Sequence, residues 1–76
     1  MPKIPEKIEI ITEFIRLDAF LKFAAAVGTG GEAKALIQEG AVTVDGEVCT
    51  MRGKKLYPGS TVEINGELFE VSGEGK

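Results

Sequence analysis

Apolar positions along this chain follow two periods. From Leu17 they recur as Leu17, Phe20, Leu21 and Ala24, one stripe of a 3.6-residue repeat that predicts a helix ending near Val27 and Gly28. Asp18 falls in its first turn, where the helix dipole favours a negative charge, and Lys22 points away from the stripe. In Thr29-Gly30-Gly31-Glu32 the threonine oxygen is placed to accept from the N–H three residues on, and Glu32 to reach back to the threonine N–H. This capping box predicts a second helix with Ala33, Leu36 and Ile37 towards the core, closed at Gly40 by a left-handed residue. At about nine residues that helix is too short to stand alone and needs tertiary packing.

Elsewhere the period is two. Lys7 to Phe14, with Ile8 and Ile10 alternating with Glu9, reads as a strand after a loose lead-in marked by Pro2 and Pro5. Ala41 to Val44 continues from the second helix as another strand. Asp45-Gly46 and Asn65-Gly66 are turn dipeptides of tight hairpins, since both residues tolerate positive φ. Pairing Val44 with Glu47 puts Val42, Val44, Cys49 and Met51 on one face, and pairing Ile64 with Glu67 does the same for Val62, Ile64, Phe69 and Val71.

Leu17-Asp18, the turn before Glu32-Ala33-Lys34, Leu36-Ile37, Gly40 and Val42-Thr43-Val44-Asp45-Gly46 resemble the RNA-binding domain named after ribosomal small-subunit protein four. Gly30-Gly31-Glu32-Ala33-Lys34 together with Arg52-Gly53-Lys54-Lys55-Leu56-Tyr57 is similar to its small, stand-alone bacterial members, and the resemblance spans roughly residues 10 to 71. The expected class is α+β: a helix-turn-helix pair packed on a small, mainly antiparallel sheet of about four to five strands, with an αL-like RNA-binding motif. The implied partner is structured RNA, ribosomal RNA or tRNA, with a role in ribosome assembly or translation.

Composition narrows the rest. Seventy-six residues predict one domain, 1–76, with a modest core, since a chain this small buries only about 60% of its unfolded surface. The 43% hydrophobic content fits a globular chain, expected to be a monomer. No segment reaches the length of a membrane span, no signal peptide is evident, and a reducing cytoplasm is the expected setting. There is no histidine, so the usual structural zinc sets are excluded, and Cys49 reads as strand packing. Neither a catalytic constellation nor a cofactor motif is present, so the chain is expected to act by binding.

The net charge of −3 runs against an RNA partner, because phosphate neutralisation supplies most non-specific affinity. Its distribution runs the other way, since no acidic residue lies between Glu47 and Glu63 while Arg52, Lys54 and Lys55 cluster there; the end beyond, with Glu67, Glu70 and Glu74, is acidic. Arg52 has the fork to grip a phosphate, Gly53 permits close backbone approach, Lys54 and Lys55 add point charges, and Tyr57 is placed to stack on an exposed base. The turn of Thr29, Gly30 and Gly31 opens a helix whose first N–H groups suit a phosphate, with Lys34 one turn in. Family members often carry Ser-Arg where Thr29-Gly30 stands here, which removes one cation. Arg16 stands at the positive end of the first helix, where the resemblance implies an RNA contact, and Lys22 lies on that helix's outer face. The competing reading is a protein-interaction module whose basic loop docks an acidic partner. A sulfur carrier of the ubiquitin-like class is disfavoured by the tail Ser72-Gly73-Glu74-Gly75-Lys76, which lacks a terminal Gly-Gly.

Overall fold

Both turn dipeptides close hairpins with positive φ at both central residues. Asp45 and Asn65 each have φ 52°, followed by Gly46 at 87° and Gly66 at 81°, the twist that matches paired strands. The first joins β3 (Val42–Val44) to β4 (Glu47–Val48), and the second joins β6 (Thr61–Ile64) to β7 (Glu67–Ser72). Their registers are Val44 opposite Glu47 and Ile64 opposite Glu67, as the pattern predicts. Asp45 also ties the hairpins together, its carboxylate accepting from the Thr61 N–H at 2.9 Å.

In this computed structural model, which describes residues 4–73, β1 (Glu6–Glu9) adds to β7 in parallel and completes a mixed five-stranded sheet of order β1-β7-β6-β3-β4. The lead-in at Met1-Pro2-Lys3 and the acidic end at Glu74 lie outside those residues. A second, two-stranded sheet pairs β2 (Ile15–Arg16) with β5 (Lys55–Leu56). The helices are α1 (Leu17–Phe23) and α2 (Gly30–Gln38). Leu17, Phe20, Leu21, Ala33 and Ile37 form one buried cluster with Val42, Val62, Ile64, Phe69 and Val71 of the sheet. Phe20 meets Phe69 edge to face, with centroids 6.3 Å apart. The register leaves Lys7, Glu9, Glu63, Leu68 and Glu70 on the opposite face of the sheet.

Three expectations need correction. The predicted Lys7 to Phe14 strand stops at Glu9 because its partner ends opposite it at Ser72; one further bond, Ile10 N–H to Ser72 O, follows, and Ile11 then turns outward. Met51 does not share the inner face of the first hairpin. Cys49 N–H still donates to Val42 O, but Met51 O accepts from Lys54 N–H in a turn, which leaves Met51 exposed. Finally, α1 ends at Phe23, well before Val27. Ala25 N–H donates to Lys22 O and Ala26 N–H to Leu21 O, a Schellman closure with Ala25 at φ 61°. Reversal there lets Val27 pack into the core from outside the helix.

The same closure at α2 uses Gly40, φ 81°, as the sequence predicts, with Ala41 N–H on Leu36 O. Alanine in the left-handed region costs ~1–2 kcal/mol, against ~0.4–1 kcal/mol for the extra freedom glycine has when unfolded. Ala25→Gly should therefore stabilise the domain by about 1 kcal/mol in urea denaturation. A midpoint unchanged or lowered would contradict the left-handed closure.

Candidate functional site

The short β2–β5 ladder places the basic loop. Fully buried Leu56 and half-buried Ile15 pair at one step, and Arg16 and Lys55 pair at the next. The loop between Arg52 and Lys55 then lies across the start of α1: Leu17 N–H donates to Lys54 O at 2.8 Å and Asp18 N–H to Arg52 O at 3.1 Å. Ala19 N–H is taken by Asp18 Oδ1 at 2.7 Å. The first three donors of α1 are thus occupied by the protein itself, and what this end offers a ligand is side-chain charge.

Arg16 stands beside the loop, so close that a Cβ built on Gly53 would lie 3.7 Å from its Nη2. Among the described residues its ion pair is to Asp18 Oδ2, long at 3.4 Å, with the arginine side chain 57% exposed. A pair of this kind contributes little to stability and leaves the guanidinium open to a stronger anion.

At α2 the N-terminus is built differently. Thr29 is extended (φ −141°, ψ 162°) and its Oγ1 accepts from Glu32 N–H at 3.1 Å. The return contact differs from the predicted box, since Glu32 Oε1 accepts from Gly28 N–H at 3.0 Å rather than from Thr29. Glu32 thereby fixes the turn entering the helix. Among the described residues the N–H groups of Gly30 and Gly31 make no hydrogen bond, as expected for the first positions of a helix.

Gly30 lines a hollow of about 530 Å³ with Arg16, Asp18, Lys22 and Phe23. Two cations and the start of α2 therefore share one concavity, and Lys34 follows Gly30 at i+4 on the same face of α2. Among the described residues Lys22, Lys34 and Arg52 are in no ion pair.

The predicted loop cations diverge instead of acting as a unit. Lys55 Nζ sits 4.8 Å from the centroid of the Phe14 ring. Phe14 in turn meets half-exposed Tyr57 at 5.9 Å between centroids. Lys54 lines a separate hollow with Asp45 and Glu47, whose carboxylates oppose an anion there.

Two helices packed against a mixed sheet agree with the fold that the family resemblance implies. The chain matches the S4 domain over residues 8–72. It belongs to the S4 domain family. A relative, RlbA of Bacillus subtilis (strain 168), named a probable ribosome maturation protein, is 48% identical over 59 residues, covering 78% of this chain and 83% of its own length. The solution structure of YbcJ from E. coli, described as revealing an αL motif involved in RNA-binding, matches with a TM-score of 0.70 at 30% identity over 92% of this chain and 90% of that one.

Glu9, Glu63 and Glu70 lie on the sheet face turned away from the helices, while Arg16 and Lys22 flank the hollow. Two residues of the site escaped sequence reasoning. Phe23 lines the hollow and is 62% exposed; its signal was an aromatic lying off the buried stripe. Phe14, the partner of Lys55 and Tyr57, was read as the end of a strand and instead follows the bend at 11–13. No helix among the described residues is long and apolar enough to cross a membrane.

Proposed function

We propose that this S4 domain binds structured RNA, ribosomal RNA or tRNA, without catalysing a reaction, and that it acts as a monomer on cytoplasmic ribosomal particles in their assembly or in translation. The observation that carries this reading is the hollow that Arg16, Lys22 and Gly30, the first residue of α2, line together. Guanidinium, ammonium and helix-end N–H groups are three complementary ways to hold a phosphate. Arg52 extends the set along the loop, and Lys34 extends it along α2. The likeness to a probable ribosome maturation protein and to a structure with an RNA-binding αL motif supports the same partner.

Recognition on this view is of backbone and shape, as for A-form RNA, whose deep major groove side chains do not read. With about four cations on phosphates, log K should fall with log salt at a slope of roughly −3 to −4. The test is equilibrium binding to purified ribosomal subunits, total tRNA and a DNA duplex at two salt concentrations. Tightest, salt-sensitive binding to a subunit or to tRNA is expected. Absence of binding to every RNA at low salt would overturn the proposal and turn the basic loop towards an acidic protein partner.

A further inference from the structure

The cationic hollow shares a wall with a second, apolar one. Phe23 and Ala19 line both it and an adjoining cleft of about 250 Å³ that is otherwise bounded by Ile10, Ile11, Thr12 and Ile15. Phe23 and Ala19 thus stand between two cations and an apolar cleft. Phe23 is 62% exposed and Ile11 83% exposed, both large side chains held out of a core that buries their neighbours Phe20 and Ile10. The exposure of Ile11 is imposed by the backbone, since the chain leaves the sheet after Ile10 and the bend is held by Thr12 Oγ1 donating to Phe14 O at 2.7 Å.

We propose that Phe23 is the stacking floor of a subsite for an unpaired nucleobase, belonging to an RNA nucleotide whose phosphate lies between Arg16 and Lys22. The inference rests on the RNA-binding reading and adds a preference to it. A nucleotide joins an anion to a flat apolar ring through a sugar, and the hollow presents the matching pair, cations at Arg16 and Lys22 and an aromatic ring at Phe23. In a continuous duplex every base is stacked and paired inside, so only a bulged, looped or terminal base reaches such a floor. Asp18 does not spoil the anion end. Its Oδ1 is held by Ala19 N–H, and its 3.4 Å contact to Arg16 through Oδ2 leaves the guanidinium open to a stronger anion.

The chain contains no tryptophan, so Phe23→Trp installs a single reporter. Wild type, Phe23→Trp and Phe23→Ala would be titrated with a short RNA hairpin carrying an unpaired loop, with its stem as a blunt duplex, and with a peptide of alternating glutamate and leucine. Wild type is expected to prefer the hairpin about 10-fold, within the range for stacking one base on an aromatic ring. Phe23→Ala should lose that preference, its hairpin affinity falling about 10-fold relative to wild type, and the Phe23→Trp emission should be quenched by the hairpin and not by the duplex. A retained preference in Phe23→Ala, or indole emission unchanged at saturating hairpin, overturns the subsite while leaving RNA binding intact. No binding of either RNA by wild type removes the RNA-binding reading and the subsite together. Quenching by the peptide and by no RNA overturns the proposal in favour of an acidic protein segment.

Discussion

Replacing Arg16, Lys22 and Arg52 together by alanine should weaken binding to structured RNA by about 50–150-fold near 0.15 M salt, from ~0.7–0.9 counterions released per phosphate contact. The same variant should lose about two to three units of salt slope, because each lost contact removes its own released counterion. Folding should survive. All three side chains are exposed, the Arg16 backbone keeps its pairing with Lys55, and the pair given up with Asp18 is long and solvated. Lys7→Ala, on the far face of the sheet, is the matching control and should leave affinity nearly unchanged. Binding isotherms at several salt concentrations check both numbers. A loss below about 5-fold with the slope intact would mean that these cations do not meet phosphate.

The largest effect on stability is expected one turn along the same helix. Phe20 is fully buried, packs on Phe69, and lies among Leu17, Leu21 and Ile37. Truncating a buried phenylalanine to alanine costs about 3–5 kcal/mol in lost transfer energy and cavity. A chain of this size holds only ~4–11 kcal/mol in total. Phe20→Ala should therefore lower the melting temperature by tens of degrees or leave the domain unfolded, at ~4–8 °C per kcal/mol. Phe23→Ala removes the same side chain from an exposed position and should shift it little. Thermal unfolding followed by circular dichroism separates the two, and a mild Phe20→Ala would contradict the packing of α1 on the sheet.

What could be read from the sequence was what nearby residues determine. Asp45-Gly46 and Asn65-Gly66 name their turns because few residues adopt two successive positive φ angles. Gly40 and Thr29 name the ends of α2 for the same local reasons. The end of α1 was not legible, because its left-handed residue is Ala25, which gives no signal for that conformation. The parallel partnership of β1 with β7 joins residues some sixty positions apart, beyond the reach of periodicity.

Site residues divide along the same line. Arg16, Lys22, Lys34 and the glycine turn could be named from helix position, whereas their grouping depends on packing α1 beside α2. The basic loop looked like one cluster in the sequence. Its docking on α1 depends on a ladder of two residue pairs, too short to show alternation, and that docking sends Lys54 towards Asp45 and Glu47 and Lys55 onto Phe14. The acidic end and the basic loop were legible as charge runs, whereas the placing of Glu9, Glu63 and Glu70 on the face turned from the helices follows from strand register.

RNA should meet the helix face of this domain and not its sheet face. The most direct test is a titration of the ¹⁵N-labelled protein with a ribosomal RNA hairpin, followed by amide chemical shifts. Gly30, Gly31, Arg16, Lys22 and Gly53 should move first and furthest, with Glu63, Leu68 and Glu70 unmoved. Shifts concentrated on Glu63, Leu68 and Glu70, with Gly30 and Gly31 silent, would contradict the account.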